Sequence, residues 1–113
     1  MKDFMMIFLG GEDYNQFSPE EMQERMGKWF AWDEKLQAKG IVKAGEALTE
    51  QIRRISGPDR VVTDGPFAES KEVIGGFYLI KANSFDEVQE LAQDFPDYDL
   101  NGTVEIREVM VFS

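Results

Sequence analysis

A chain of 113 residues with neither histidine nor cysteine leaves carboxylates, lysine, tyrosine and backbone groups to do any chemistry. Without histidine there is no Ser-His-Asp or Cys-His arrangement and no histidine-held zinc, and the commonest acid/base near neutral pH is missing. Without cysteine no disulfide can form, which fits a reducing compartment. Acid/base work by carboxylates is what remains, and two positions stand out as candidate catalytic groups. Asp64 opens the run Asp64-Gly65-Pro66-Phe67, where a strand-end turn could present its carboxylate to a cleft as general base or hydrogen-bond acceptor. Turn chemistry also accounts for it, with the side chain bonded to nearby amides while Gly and Pro fix the bend. Asp33 falls on the helical stripe of Met22, Met26, Trp29 and Leu36, about 40° from Trp29 at 100° per residue. A carboxylate among those side chains is poorly hydrated, the setting in which carboxylates serve as acids and bases. The competing reading is a helix rolled enough for Asp33 to reach water or to pair with Arg53 or Arg54.

Candidate ligand-binding residues are Glu46, Trp29, Phe67, Glu72 and Tyr78. Glu46 stands next to Gly45 in a strand, where it could face a pocket or solvent. Glu72 could pair with Lys71 or coat a turn; Lys71 reads as solvated and Glu72 as a weaker site residue. Trp29, Phe67 and Tyr78, together with Trp32, could line an apolar pocket, although aromatics at helical or strand spacing are more often plain core. The densest acidic stretch, Asp94 to Asp99, reads as a solvated loop. No acidic loop of the calcium-binding type is present, so neither a metal nor a cofactor is expected.

These residues need elements to hold them. Phe4 to Leu9 is apolar on both alternating faces and ends at Gly10-Gly11, which predicts a central strand. Ser18-Pro19-Glu20-Glu21 supplies an N-cap serine, a first-turn proline and a capping-box glutamate. The helix it opens should run to about Lys39 and stop at Gly40. Ile41 to Leu48 predicts a second strand. Gln51 to Ser56 and Arg60 to Thr63 predict a hairpin around Gly57-Pro58-Asp59. Gly75-Gly76 leads into a strand over Phe77 to Ile80, with a bulge or a close backbone approach at the glycines. Ser84-Phe85-Asp86-Glu87 opens a second helix with Phe85, Val88, Leu91, Ala92 and Phe95 inward, and Thr103 to Phe112 alternates as a last strand.

That order matches a split βαβ arrangement: one α+β domain over residues 1–113, an antiparallel sheet with both helices on one face. The other face would stay bare, and an apolar bare face is ordinarily buried against a partner, here a second copy of the chain. The net charge of −10 repels phosphate backbones and anionic lipid surfaces, so neither nucleic acid nor membrane is expected as a partner. The apolar run at Phe4 to Leu9 is too short for a membrane span, and a cytoplasmic location is the expectation.

The run from Val61 through Asp64-Gly65-Pro66-Phe67 to Glu72, followed by Gly75-Gly76-Phe77-Tyr78-Leu79-Ile80, closely resembles the signature segment of YCII-related proteins of the DGPF type. The Ser-Pro-Glu-Glu helix with its tryptophan, the Gly45-Glu46-Ala47-Leu48 segment and the Val104-Glu105-Ile106-Arg107 strand extend the resemblance over nearly the whole chain. It implies a ferredoxin-like domain that pairs into a dimeric α+β barrel, and it carries no assigned reaction with it. Some YCII-like relatives are discussed as enzymes with a His–Asp pair in the cleft; a chain without histidine cannot take over that pair. Related domains also occur attached to transcription sigma factors. Two functional expectations follow. One is a homodimer whose barrel interior or adjacent cleft binds a small, partly apolar molecule, with carboxylate acid/base chemistry if it is turned over. The other is a non-catalytic dimeric sensor or interaction module linked to transcription regulation.

Overall fold

The computed structural model describes residues 1–11, 14–65 and 73–112. Strand β1 (Lys2–Leu9) is followed by helix α1 (Pro19–Ala38), β2 (Val42–Ala47), the hairpin strands β3 (Arg53–Ser56) and β4 (Val61–Asp64), β5 (Ile74–Ala82), α2 (Phe85–Ala92) and β6 (Thr103–Glu108). β2, β5, β1 and β6 form one sheet in that order, every neighbouring pair antiparallel, and β3 and β4 form a separate two-stranded sheet. The four-stranded sheet has ferredoxin-like topology, with the hairpin inserted between its second and third strands.

The local signals act as their chemistry requires. The Ser18 hydroxyl accepts from the Glu21 amide while the Glu21 carboxylate accepts from the Ser18 amide, and Pro19 occupies the first turn of α1. Gly40 takes a φ of +68° just past its end. The bulge expected at the paired glycines is present: Phe8 faces Gly76 but Leu9 faces Ile74, so Gly75 is skipped. A Cβ on Gly76 would stand 2.8 Å from the Glu46 carbonyl oxygen, so the close backbone approach expected there is present as well.

Both helices cover one face. Phe4, Met6 and Phe8 of β1 and Ile80 and Ala82 of β5 are buried with Trp32 and Leu36 of α1, Val88 and Ala92 of α2, and Phe95. Each large side chain so buried is worth about 1.5–3 kcal/mol. Some placements differ from expectation. Trp32, read as a pocket aromatic or plain core, is core, whereas Met22 and Met26 of the stripe are only half-buried. Phe85 is not inward. At the first position of α2 it stays half-exposed and meets Phe4 only edge-on, with ring centroids 5.0 Å apart.

The opposite face carries two rows across the four strands. One runs Ala44, Leu79, Met5, Arg107 and the other Glu46, Phe77, Ile7, Glu105. Its centre is therefore apolar and its rims are charged, and no element of the described chain covers it. The domain is accordingly flat, 47 × 40 × 19 Å, with a radius of gyration of 15.8 Å, against about 13 Å for a compact chain of this length.

Candidate functional site

At the end of the sheet where β1 finishes and β5 begins, the helix-covered face holds a cluster of rings. Phe8 lies at its centre, with ring centroids 5.4 Å from Trp29, 5.7 Å from Trp32, 5.7 Å from Tyr78 and 5.2 Å from Phe95. Helical spacing sets the polar rim. Arg25, Trp29 and Asp33 follow one another at four-residue steps on α1, so their polar heads form a row above the rings.

Asp33 occupies one end of that row. The Tyr78 hydroxyl donates to its Oδ1, and the Gln37 amide donates to the same oxygen at 3.5 Å. Tyr78 extends from β5 across the neighbouring edge strand where Gly45 lies opposite it, and a Cβ there would stand 2.7 Å from the Tyr78 ring carbon Cε1. Burial, reinforced by the Asp33 carboxylate, pushes the Tyr78 phenol well above its ordinary ionisation range. Asp33 and Tyr78 are both half-buried, so the pair sits at the sheet edge with one side toward solvent. A phenol held protonated beside a carboxylate can give a proton at one atom and take one at the other.

The other end is built on Asp97. This residue is 7% exposed, and its carboxylate accepts from Arg25 Nη1 at 3.0 Å, from Trp29 Nε1 at 3.3 Å and from the Tyr14 hydroxyl. Arg25 also grips Asp99 through Nη2 at 2.8 Å and lies over the Phe17 ring at 5.1 Å. The bonds to Asp99 raise the Arg25 guanidinium further above its usual range, and that guanidinium holds the Asp99 carboxyl below the usual carboxylate range. Burial, with the Asp97 bond added, raises the Tyr14 phenol. The solvated-loop reading of Asp94 to Asp99 is thus corrected at Asp97. Asp94, which meets Lys35 at 2.5 Å, is exposed as expected. Nothing local in Phe95-Pro96-Asp97 marks its aspartate as buried; the available signal was on the helix, where Arg25 and Trp29 share a face and need one acceptor.

The expected site residues are not all brought together. Asp33, Tyr78 and Trp29 belong to the same ring-and-carboxylate cluster. Glu46 points to the opposite sheet face, beside Phe77. Asp64 ends β4 on the hairpin, exposed and bonded at 2.8 Å to Arg53 Nε on the facing strand. Arg53 is therefore engaged with Asp64 and not with Asp33. Phe67 and Glu72 lie outside the described residues. Among the described residues no group of three or more acidic side chains is arranged to hold a metal ion, and no helix is long and apolar enough to cross a membrane. A groove of about 380 Å³ between α1 and α2, lined by Lys35, Lys39, Ile41, Glu87, Glu90 and Leu91, contains none of the expected site residues. Four of its six lining residues are charged.

Similar proteins accord with this architecture. An uncharacterized protein of Rhizobium meliloti (strain 1021) is 40% identical over 60 residues, which cover 52% of this chain and 48% of that protein. The match therefore spans about half the length of the curated relative. Among solved structures, 5-chloro-2-hydroxyhydroquinone dehydrochlorinase (TftG) of Burkholderia phenoliruptrix AC1100, in complex with 2,5-dihydroxybenzoquinone, superimposes with a TM-score of 0.50 at 17% identity, over 96% of this chain and 95% of that one. At that identity the likeness concerns the fold. The family model of the YCII-related domain matches residues 4–113, and this chain belongs to that family.

Proposed function

We infer that the protein is a homodimer that closes over its open sheet face and binds a small, partly apolar molecule beside the Asp33–Tyr78 pair. The observation that carries this reading is the open face itself: Met5, Ile7, Phe77 and Leu79 form its centre, and no element among the described residues covers them. Contiguous apolar surface of that kind marks an association site in a soluble protein. Apposing two such faces encloses Glu46 and leaves the Asp33–Tyr78 pair at the sheet edge, where the Tyr78 ring fills the room over β2 that a side chain at Gly45 would take. The polar groups available to a ligand are then a phenol donor and a carboxylate acceptor above a floor of rings. If the molecule is turned over, proton transfer is the reaction these groups can perform; a covalent serine route lacks an activating base.

TftG, whose structure holds 2,5-dihydroxybenzoquinone, supplies a first probe. Titration calorimetry with 2,5-dihydroxybenzoquinone should give saturable binding that Tyr78→Phe and Asp33→Asn each weaken by about ten-fold, the loss of one hydrogen bond to a charged group. Binding unaffected by both variants would remove the pair from the site. Sedimentation should give a species of twice 13.0 kDa at micromolar concentration; a monomer would remove the dimer.

A second reading, a non-catalytic sensor or interaction module, draws on the position of Asp64. Its carboxylate is paired with Arg53 on an exposed hairpin, away from the ring cluster of its own chain. In that reading Asp64 shapes the turn and the hairpin makes contacts. Binding of a ligand without any turnover would favour it.

A further inference from the structure

The β3–β4 hairpin has no core of its own. Every residue of both strands is exposed, with Ile55 at 65%, Val61 at 58% and Val62 at 55%. A lone two-stranded hairpin is at best marginal in water. This one is closed at its base by the Gly65 amide donating to the Ile52 carbonyl at 2.7 Å. Register puts Ile55 opposite Val62 and Arg53 opposite Asp64, so one face carries an apolar pair followed by an ion pair. The hairpin is also basic within an acidic protein. It holds three of the chain's five arginines, Arg53, Arg54 and Arg60, against Asp59 and Asp64, while the whole chain carries a net charge of −10.

A complementary surface exists at the far side of the sheet. β6 is an edge strand with Glu105 and Glu108 exposed, and it continues into Met110, Val111 and Phe112, which are 72%, 86% and 85% exposed. The Val109 amide donates to the Asp3 carbonyl at 2.9 Å, which keeps the start of this tail against β1. The tail is thus apolar and follows Glu105 and Glu108, whose own partners Arg107 and Lys2 stand at a long 3.5 Å on the exposed surface, where the hairpin is apolar and flanked by arginines. Within one chain the two cannot meet. The hairpin leaves from the C-terminal end of β2, whereas β6 runs from Thr103 opposite Leu9 to Glu108 opposite Phe4, and so ends at the other end of the opposite edge. They stand at diagonal corners of a sheet domain 47 × 40 Å across.

We propose that the β3–β4 hairpin is an arm that docks on the β6 edge and the Val109–Phe112 tail of a second copy of this chain. A two-fold axis between apposed open faces, set at right angles to the arm-to-tail diagonal, places each arm on the other copy's tail, so both contacts form together and the assembly closes as a dimer. Arginine and aliphatic side chains with facing carboxylates suit such a contact. The inference rests on the dimer reading above and adds to it which elements lie outside the sheet faces and where they bind.

The absence of cysteine makes the test direct. Val62→Cys and Val111→Cys each replace an exposed side chain, so both variants should fold, with circular dichroism and sedimentation unchanged. Mixed in equal amounts to allow subunit exchange and then mildly oxidised, they should yield a disulfide-linked Val62→Cys/Val111→Cys heterodimer in several-fold excess over either homotypic product. A wild-type dimer in sedimentation together with cross-linking no greater for the mixture than for each variant alone would overturn the arm contact and leave the sheet-face dimer standing. A wild-type monomer would overturn both.

Discussion

The Tyr78 hydroxyl donates to the Asp33 carboxylate and thereby ties α1 to β5 at the edge of the ring cluster. Among the described residues, removing the donor leaves a half-buried carboxylate with only the long Gln37 contact. Tyr78→Phe should therefore cost about 1.5–3 kcal/mol in urea unfolding, the usual worth of a hydrogen bond to a charged group. The double variant with Asp33→Asn should cost less than the sum of the two single ones, because the bond can be lost only once. Additive costs would mean that the two side chains act independently.

Two tyrosines have phenols raised by burial and by an aspartate neighbour, Tyr78 beside Asp33 and Tyr14 beside Asp97. Below the unfolded phenol value of about 10, both states hold these protons and the groups impose no pH dependence. As pH rises past that value the unfolded chain releases protons that the folded protein keeps, so stability falls until the folded values are passed. Phenolate absorbance should show these two tyrosines ionising only above the ordinary range or together with unfolding. Tyr14→Phe and Tyr78→Phe should each flatten the alkaline fall in stability.

Asp97 is the buried acceptor for three donors, and Asp94, three residues earlier, is a solvent-exposed partner of Lys35. Asp97→Ala leaves the Tyr14 and Trp29 donors without their acceptor and leaves Arg25, whose side chain is 11% exposed, with only the exposed Asp99 of its two carboxylates. The expected cost is about 1–3 kcal/mol, that of leaving buried donors unpaired. Asp94→Ala should cost under about 1 kcal/mol, as exposed ion pairs do. Equal costs in thermal unfolding would contradict the assignment of Asp97 as the keystone between α1 and the loop after α2.

What the sequence made legible follows the range of each signal. Ser18 and Glu21, Gly40 and the Gly75-Gly76 bulge act within a few residues, and each behaves as its spacing requires. The placement of Asp33 on the stripe of Trp29 came from periodicity alone. Its partner Tyr78 reads only as a pocket aromatic, because a hydrogen bond across 45 residues has no local trace. The burial of Asp97 is hidden for the same reason: its donors come from Tyr14, Arg25 and Trp29, between 68 and 83 residues away. Asp64 drew attention through a turn motif, whose chemistry concerns backbone shape and does not fix where the hairpin carries the side chain.

Gly45 tests whether the Asp33–Tyr78 pair depends on the strand beneath it. The Tyr78 ring lies across Gly45 so closely that a Cβ would stand 2.7 Å from its Cε1 and 3.2 Å from the Phe77 carbonyl oxygen. The ring is the movable neighbour, and swinging it away from β2 carries the hydroxyl off Asp33. Gly45→Ala should therefore destabilise the protein by about 1–3 kcal/mol, the range for overpacking. It should also bring one tyrosine back toward the ordinary phenol range near 10. In a Tyr78→Ala background the same substitution has no ring to displace, so its cost should fall below about 1 kcal/mol, and the difference measures the coupling through the ring. An undiminished cost there would place the strain in the β2 backbone, and the phenol–carboxylate pair would then owe its position to α1 and β5 alone.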